Sequence, residues 1–225
     1  MIRITEKKVS RREALRLGVG TAAVVVTAGM PVLADDATAL ATPHQTEGPF
    51  FPKRDQPDKD FDLTRIVGHT NRASGEVILV KGVVVDEKGK PVSGAVIDVW
   101  QANVYGRYNH EDDPNPAPID PDFQGWGKIL TDDNGAYQFK TIMPGAYKVD
   151  GSWSRPPHIH FKIAKRGYHE VTTQMYFSGE PLNENDKILQ ALSVQEQALL
   201  VVDFQSANGD GSERAGRFDV LIRTV

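Results

Sequence analysis

The feature that most constrains the fold is a succession of short β-rich runs that begins at Val77 and continues to the C-terminus. Val, Ile, Tyr, Phe and Thr dominate these runs, and turn-forming residues such as Asp-Asn-Gly at 133–135 separate them. In chain order the runs are VILVKGVVVD, VSGAVIDVWQA, GKILTD, AYQFKTI, PGAYKV, HIHFKIA, VTTQMYF, ALLVVDF and RFDVLIRTV. Many short strands with turn residues between them predict an all-β sandwich of mainly antiparallel strands.

The remaining segments complete this prediction. The turn sequence EKGKP between the first two runs predicts a β-hairpin. Helix is expected at one place only, near residues 185–198. Residues 35–75 are rich in Pro, Asp, Thr and charge and have weak periodicity, so we predict an extended arm there and a sandwich domain over residues 76–225.

The composition excludes several kinds of chemistry. The chain has no cysteine, so it has no disulfide, no thiolate metal site and no cysteine nucleophile. Any metal must be held by His, Tyr, Asp or Glu. The formal net charge is −4, and because residues 1–34 carry six Lys or Arg and two Asp or Glu, the rest of the chain carries −8. This acidic remainder argues against nucleic acid or an anionic membrane surface as a partner.

The N-terminal segment, residues 1–34, has the organisation of an export signal. A basic region containing Arg11 and Arg12 is followed by a run of apolar and small residues that is too short to span a membrane comfortably. The paired arginines resemble the twin-arginine type of bacterial signal. Val32 and Ala34 have the small size required at a cleavage site, so we expect a periplasmic or secreted mature protein; the alternative is an uncleaved membrane anchor.

A pair of histidines, His158 and His160, lies in the sequence RPPHIHF. Alternate residues of a strand point to the same face, so the two imidazoles can share one metal ion. Pro156 and Pro157 restrict the backbone just before them. The pair alone is equally compatible with a metal site and with two histidines that merely lie on a strand.

Further ligands would have to come from elsewhere, and Tyr108 and Tyr147 are the notable candidates because phenolate is a hard, anionic donor that suits ferric iron. By residue type alone, each could instead be a packed residue of the sandwich. The other tyrosines are expected to be packed residues, and the other histidines are not expected to be ligands. These residues are Tyr105, Tyr137, Tyr168, Tyr176, His44, His69, His110 and His169.

Several ordered motifs resemble one known family. VKGVVVDEKGKPVSGAVIDVWQANVYGRY (80–108) is similar to the motif of the intradiol ring-cleavage dioxygenases, and LTDDNGAYQFKTIMPGAY, RPPHIHF, TQMYF and RFDVLIR resemble further blocks of that family. Within it, the core is most similar to the iron-bearing β chain of the protocatechuate 3,4-dioxygenases. TPHQTEGPFFP (42–52) is similar instead to the arm of their α chain. The resemblance extends from residue 42 to the C-terminus.

The resemblance implies a role for particular residues. The four ligands of a non-haem Fe(III) ion would be Tyr108, Tyr147, His158 and His160. Arg155 would stabilise negative charge on a catecholate ring, Gln174 would lie beside it, and Tyr147 would also accept a substrate proton. The implied reaction uses O₂ to cleave a catechol-type ring to a cis,cis-muconate-type diacid. Arg107 favours a carboxylated, protocatechuate-like ring.

Some alternatives remain open at this point. Secreted, non-catalytic β-sandwiches of the transthyretin-like or carboxypeptidase-appendage kind share the VKGVVVDEKGKPVSGAVI pattern. A zinc hydrolase is disfavoured because tyrosinates would reduce the Lewis acidity of the metal. Ten residues separate Tyr147 from His158, a shorter loop than is usual in the family, so substrate contacts made by that loop are in question. The mixed resemblance of arm and core leaves open whether the protein forms a homo-oligomer.

Overall fold

A computed structural model describes residues 40–56, 58–206 and 213–225. The predicted export signal and the first residues of the predicted arm, 35–39, lie outside these ranges. Within the described ranges, no helix is both long enough and apolar enough to cross a membrane.

The described chain is built almost entirely from strands, with one short α-helix and one 3₁₀ helix. Its elements are β1 (Val77–Asp86), β2 (Val96–Trp100), β3 (Trp126–Leu130), β4 (Ala136–Ile142), β5 (Tyr147–Lys148), β6 (Ser154–Arg155), β7 (His158–Ala164), β8 (Val171–Phe177), the 3₁₀ helix (Pro181–Asn185), α1 (Val194–Leu200), β9 (Val201–Val202), β10 (Phe204–Ser206), β11 (Arg214–Arg217) and β12 (Val220–Ile222).

The strands form two five-stranded sheets and a separate ribbon. In the first sheet, β1 pairs antiparallel with β4 on one side, and on the other side it pairs parallel with β11 and then β12, while β10 extends the sheet beyond β11. The second sheet has the order β3-β2-β7-β8-β9 and is antiparallel except between β8 and β9. Strands β5 and β6 form the ribbon. The predicted all-β sandwich of mainly antiparallel strands is confirmed.

The main core lies between the two sheets and follows from strand alternation. On β1 the side chains of Ile78 and Val80 are fully buried, whereas their neighbours are not. From the second sheet, Phe161 of β7 places its ring 5.8 Å from that of Phe139 and 4.8 Å from that of Phe218, both of which belong to the first sheet's side. Burying such aromatic rings is the main favourable contribution to holding two sheets together.

The predicted hairpin between the first two runs is wrong, because β1 and β2 belong to different sheets. The turn itself forms: Asp86 accepts hydrogen bonds from the backbone N–H groups of Lys88 and Lys90, and an isolated bridge joins Val85 to Pro91. Pairing ends there, since the chain then crosses to the other sheet. Turn residues predict where a chain reverses but not how far the strands remain paired.

The predicted helix at 185–198 is also displaced. The 3₁₀ helix ends at Asn185, and the carboxylate of Asp186 accepts hydrogen bonds from the N–H groups of Ile188 and Leu189, which breaks the helical pattern. Helix α1 begins only after Ser193, whose side chain forms a capping box with Glu196. The run ALLVVDF, predicted as a strand, therefore begins inside α1.

The described part of the arm, residues 40–56 and 58–75, forms no helix or strand beyond one bridge between Asp62 and Lys140. Its first part lies over the outer face of the second sheet, whereas Leu63 and Ala73 in its later part belong to the main core. The backbone N–H of Gln45 donates to the carbonyl of Thr172 on β8, and Phe51 packs edge-on against Trp100 of β2 at 4.9 Å. The first part of the arm therefore covers the sheet face that is directed away from the main core.

Candidate metal centre

The outer face of β7 carries the two histidines. His158 and His160 are 2% and 3% exposed, although they point away from the main core. The indole of Trp100, in register with His160 on β2, stacks on its imidazole at 4.7 Å with an interplanar angle of 9°. On β8, Gln174 and Tyr176 are the register partners of His160 and His158. Neighbouring strands and the arm thus enclose both imidazoles.

Tyr108 reaches this face from the loop that follows β2. Gly106 in that loop has a φ of 76°, and a Cβ there would lie 2.2 Å from the carbonyl oxygen of Ala146. Only glycine therefore allows the loop to lie directly against the segment that carries Tyr147. The rings of Tyr108 and Tyr147 meet edge to face with centroids 5.7 Å apart.

Tyr147 and Arg155 are placed opposite each other by the β5–β6 ribbon, where they are register partners. The turn closes through a 2.9 Å hydrogen bond from the N–H of Val149 to the carbonyl of Trp153. The short stretch between Tyr147 and His158 is therefore a tight hairpin. Because the stretch is short and paired, the Arg155 guanidinium lies beside the Tyr147 phenol and no open loop separates them.

The structure brings the four residues predicted as ligands into one cluster. The Tyr108 hydroxyl lies 3.2 Å from Nε2 of His158. The two imidazole centroids are 4.9 Å apart, and the ring of Tyr147 is 5.7 Å from that of His158. The ring of Tyr108 is 6.1 Å from that of His160. Two phenols and two imidazoles from three separate segments thus converge on one place.

The histidines are held in the form that binds metals. Nδ1 of His158 is 2.7 Å from the carbonyl oxygen of Pro156, so it carries the proton and leaves the Nε2 lone pair facing Tyr108. Nδ1 of His160 is buried and has no hydrogen-bond partner among the described residues. Burial, reinforced by the charge of Arg155, lowers the pKa of both imidazoles well below the ordinary value, so both are neutral at pH 7.

The burial of the two tyrosines favours binding of a highly charged cation. Burial raises the pKa of the Tyr108 phenol well above its ordinary value, so ionisation there requires a compensating positive charge. The pKa of Tyr147 is also raised by burial, although Arg155 opposes this effect. In the described ranges no three His, Asp or Glu residues group together in a way that could hold a metal, so an ion at this site depends on the phenols. Hard phenolates with imidazoles are a donor set suited to ferric iron.

Arg155 is fixed by a buried network. Its Nε donates to Oδ2 of Asp186 at 2.6 Å, and the two side chains are 4% and 0% exposed. One Nη donates to Oε1 of Gln174 at 2.7 Å and to the hydroxyl of Tyr176 at 3.2 Å. The guanidinium therefore has a fixed direction, with its charge balanced on one side by Asp186 and facing the phenol of Tyr147 on the other.

Sequence reasoning missed two members of this network. Tyr176 was expected only to pack, yet it lies on the same strand face as Gln174, two residues away, and that spacing could have predicted its place beside Arg155. Asp186 follows the 3₁₀ helix, and no local pattern links it to Arg155. Its role depends on tertiary contact alone.

The remaining tyrosines and histidines differ in their surroundings. Tyr137 is packed, as expected, and donates its hydroxyl to the carbonyl of Phe218. Tyr105 is 50% exposed, so the expectation that it packs is wrong. His69 pairs with Asp122 at the surface. The other members of the set are half-buried or exposed; they are Tyr168, His44, His110 and His169.

Arg107, the residue that favoured a carboxylated ring, does not join the cluster. Its Nη1 donates to the carbonyl of Ala117 at 2.6 Å.

Comparison with known proteins agrees with this geometry. A family model described as dioxygenase matches residues 46–224. The chain is 39% identical to the protocatechuate 3,4-dioxygenase β chain of Burkholderia cepacia over 78% of its own length and 76% of that relative. It is 30% identical to the catechol 1,2-dioxygenase of Candida albicans over 64% of its length, and it spans only 48% of that protein.

A solved structure is similar as well. The dioxygenase domain of a dioxygenase carbohydrate-binding protein fusion from Streptomyces sp. SirexAA-E superposes with a TM-score of 0.61 at 30% identity, covering 82% of this chain and 99% of that domain. The match of the family model to most of the chain, together with these relatives, shows that the chain belongs to the intradiol ring-cleavage dioxygenases, a family of oxidoreductases.

Proposed function

We propose that the protein is a non-haem Fe(III)-dependent dioxygenase that cleaves a catechol-type ring between its two hydroxylated carbons, using O₂, to give a cis,cis-muconate-type diacid. The single observation that carries the proposal is the 3.2 Å approach of the Tyr108 hydroxyl to Nε2 of His158 inside the cluster of two phenols and two imidazoles. A sandwich that serves only as a binding module has no need of such a cluster.

The residues that would hold the iron are Tyr108, Tyr147, His158 and His160. Ferric iron held there would supply Lewis acidity and accept electron density from a catecholate, which would make the ring reactive towards O₂ without an external reductant. The neutral imidazoles and the two phenols would supply the ligands, and one of the phenols, together with the side chains around the cluster, would act on the substrate.

The two phenols have different tasks because they differ in burial. Tyr108 is 3% exposed and lies beneath the ring of Phe50 at 4.8 Å, so it is suited to a fixed ligand. Tyr147 is only half-buried and lies on a two-residue strand. It can therefore give way to a substrate oxygen, and its phenolate can accept the proton of the incoming hydroxyl. Arg155, hydrogen-bonded to Tyr147, favours that phenolate.

Arg155 would stabilise the negative charge that develops on the substrate. A fixed charged donor of this kind contributes about 3–4 kcal/mol in a water-excluded site. Asp186 and Gln174 determine its direction, so its charge does not have to reorganise during the reaction. Gln174 is itself held by a 3.1 Å bond from its Nε2 to the carbonyl of Thr46 in the arm.

A protocatechuate-like substrate is favoured because the chain is 39% identical to a protein named as a protocatechuate 3,4-dioxygenase β chain. The basic N-terminal sequence with Arg11 and Arg12 supports activity in the periplasm or outside the cell. A role in the catabolism of aromatic compounds agrees with both.

The test starts from the purified protein. We expect bound iron, a visible tyrosinate-to-iron absorption band, and O₂ uptake with ring opening on at least one of protocatechuate, catechol and hydroxyquinol. A colourless, iron-free protein that cannot be reconstituted with iron would refute the proposal and favour the binding-module alternative.

A matched pair of variants separates the base role from a general effect of losing a phenol. Tyr147→Phe should slow substrate binding and retain part of the iron. Tyr137→Phe removes a buried hydroxyl from the main core, away from the cluster, and should leave iron and kinetics unchanged. Unaltered kinetics in Tyr147→Phe would show that Tyr147 is not the base.

A further inference from the structure

Trp153 lies at the end of the turn that joins β5 to β6, and its indole ring contacts two cations. The central carbon of the Arg155 guanidinium is 5.8 Å from the ring centroid, and Nζ of Lys187 is 4.8 Å from it. Both distances are within the range of about 6 Å over which a cation is attracted to an aromatic face. Arg155 is the residue that would stabilise negative charge on the substrate, so a side chain that contacts its guanidinium can influence the reaction.

The turn holds Trp153 in place. Its backbone N–H donates to Oδ1 of Asp150 at 2.8 Å, and its carbonyl accepts from the N–H of Val149 at 2.9 Å. The hairpin that places Arg155 opposite Tyr147 therefore also fixes the backbone of Trp153.

Arg155 is buried although it follows an exposed turn. Residues 150–152 of the turn are exposed, whereas Arg155 is only 4% exposed. Trp153 comes between them in the chain, is half-buried, and lies against the guanidinium. A charge that is kept out of water interacts more strongly with charge that develops nearby. A smaller side chain at position 153 would let water approach Arg155 from the turn.

The indole N–H of Trp153 takes no part in this arrangement. Nε1 is buried and has no hydrogen-bond partner among the described residues. The side chain therefore acts through its ring and not through a hydrogen bond. A phenyl ring also has a face that attracts cations, so phenylalanine should replace Trp153 functionally, whereas leucine, which has no aromatic face, should not.

Lys187 links the same ring to the segment that carries the charged partner of Arg155. It directly follows Asp186, whose carboxylate accepts from Nε of Arg155 at 2.6 Å. Lys187 is exposed, and contacts between cations and aromatic rings are weaker at exposed sites than at desolvated ones. The contact of the ring with Arg155 is therefore the stronger of the two.

We propose that Trp153 is a positioning residue that acts on the reaction through Arg155. Its ring keeps water away from the guanidinium and, together with Asp186, holds the positive charge beside Tyr147. This inference rests on the proposed function, because Arg155 affects the reaction only if negative charge develops on a substrate there. The contact of the ring with the guanidinium can be measured without turnover.

The kinetic test is a double-mutant cycle with Arg155. Trp153→Leu should lower kcat/KM about 10- to 30-fold with iron retained, which is the size expected for loss of a contact between an aromatic ring and a desolvated cation. Trp153→Phe should keep kcat/KM within about threefold of the unaltered protein. In an Arg155→Met background, Trp153→Leu should change kcat/KM by less than about threefold. Equal losses in the two backgrounds would overturn the proposal, because Trp153 would then act independently of Arg155.

Lys187→Met is the matched control, because it removes the other cation from the same ring. It should change kcat/KM by less than about threefold, since the contact is exposed. A loss as large as that in Trp153→Leu would show that the ring acts through Lys187, contrary to the proposal.

A measurement without turnover separates failure of this inference from failure of the proposed function. In nitrogen–proton NMR spectra of the iron-free protein, the Nε–H signal of Arg155 is identified by its loss in Arg155→Lys. Its exchange with water should be at least about tenfold faster in Trp153→Leu, but not in Trp153→Phe. The Nε–H of Arg214, which donates to Glu76 at the surface, serves as the control within each sample. Unchanged exchange at Arg155 in Trp153→Leu would refute the positioning role whether or not a catechol is cleaved.

Discussion

The two faces of β7 are both buried, but by different means. Ile159 and Phe161 face the first sheet and are held by apolar contact with it. His158 and His160 alternate with them and are enclosed by Trp100 and by the arm. One face contributes to the free energy of unfolding, and the other carries half of the proposed metal centre. Because successive side chains of a strand point to opposite faces, substitutions at neighbouring positions of β7 are expected to have different effects. Those on the inner face should reduce stability, and those on the outer face should reduce metal binding.

The largest effect is expected at the outer face. His160→Ala should abolish iron binding and ring cleavage, because even the partners of metal ligands are worth about 10–100-fold in metal affinity and a ligand is worth more. Iron content by mass spectrometry and O₂ uptake measure this loss. If the variant kept its iron, the outer face would not be a metal centre.

The next effect tests the adjacent residue on the inner face. Phe161→Ala should lower the free energy of unfolding by about 3–5 kcal/mol, because it removes a ring that contacts Phe139 and Phe218. Urea unfolding of the iron-free protein, followed by tryptophan fluorescence, gives this value. The folded fraction should still bind iron. A larger loss of stability in His160→Ala than in Phe161→Ala would contradict the separation of the two faces.

A smaller effect is expected one step away from the cluster. Asp186→Asn should reduce kcat/KM about 10- to 100-fold with iron retained, because Arg155 loses its charged partner and its fixed direction. The control is Glu76→Gln, which breaks the exposed pair with Arg214 and should cost less than about 1 kcal/mol of stability with no kinetic change. Steady-state kinetics of both variants decide whether the buried pair positions Arg155.

The smallest effect concerns Gln174, which is 0% exposed. Gln174→Leu removes one neutral acceptor from Arg155 and one bond to the arm, so a loss of about 1 kcal/mol in transition-state stabilisation, about fivefold in kcat/KM, is expected. Iron binding should be unaffected. Loss of iron would instead show that Gln174 supports the ligands themselves.

Local patterns in the sequence predict β1 and β7 well, because burial alternates along β1 and polar and apolar residues alternate along most of β7, although both faces of β7 are buried. They also predict that His158 and His160 share a face. The crossing from β1 to β2 was not predictable, since a turn such as EKGKP specifies reversal but not the sheet that the next strand joins. Asp186 lies 31 positions after Arg155 in the sequence, so its place beside Arg155 depends on how the intervening chain folds.

The pairing of β1 has a consequence for how the polypeptide reaches this state. Its partners on one side, β11 and β12, end at Ile222, close to the C-terminus, so the contacts are separated by about 136 residues of sequence, as in Ile78 with Arg214 and Val84 with Val220. Contacts of such long range are slow to form. During synthesis, one edge of β1 stays open until β11 and β12 have been translated and have left the ribosome. A nascent chain stalled before β11 would retain an unpaired strand edge that can recruit another chain.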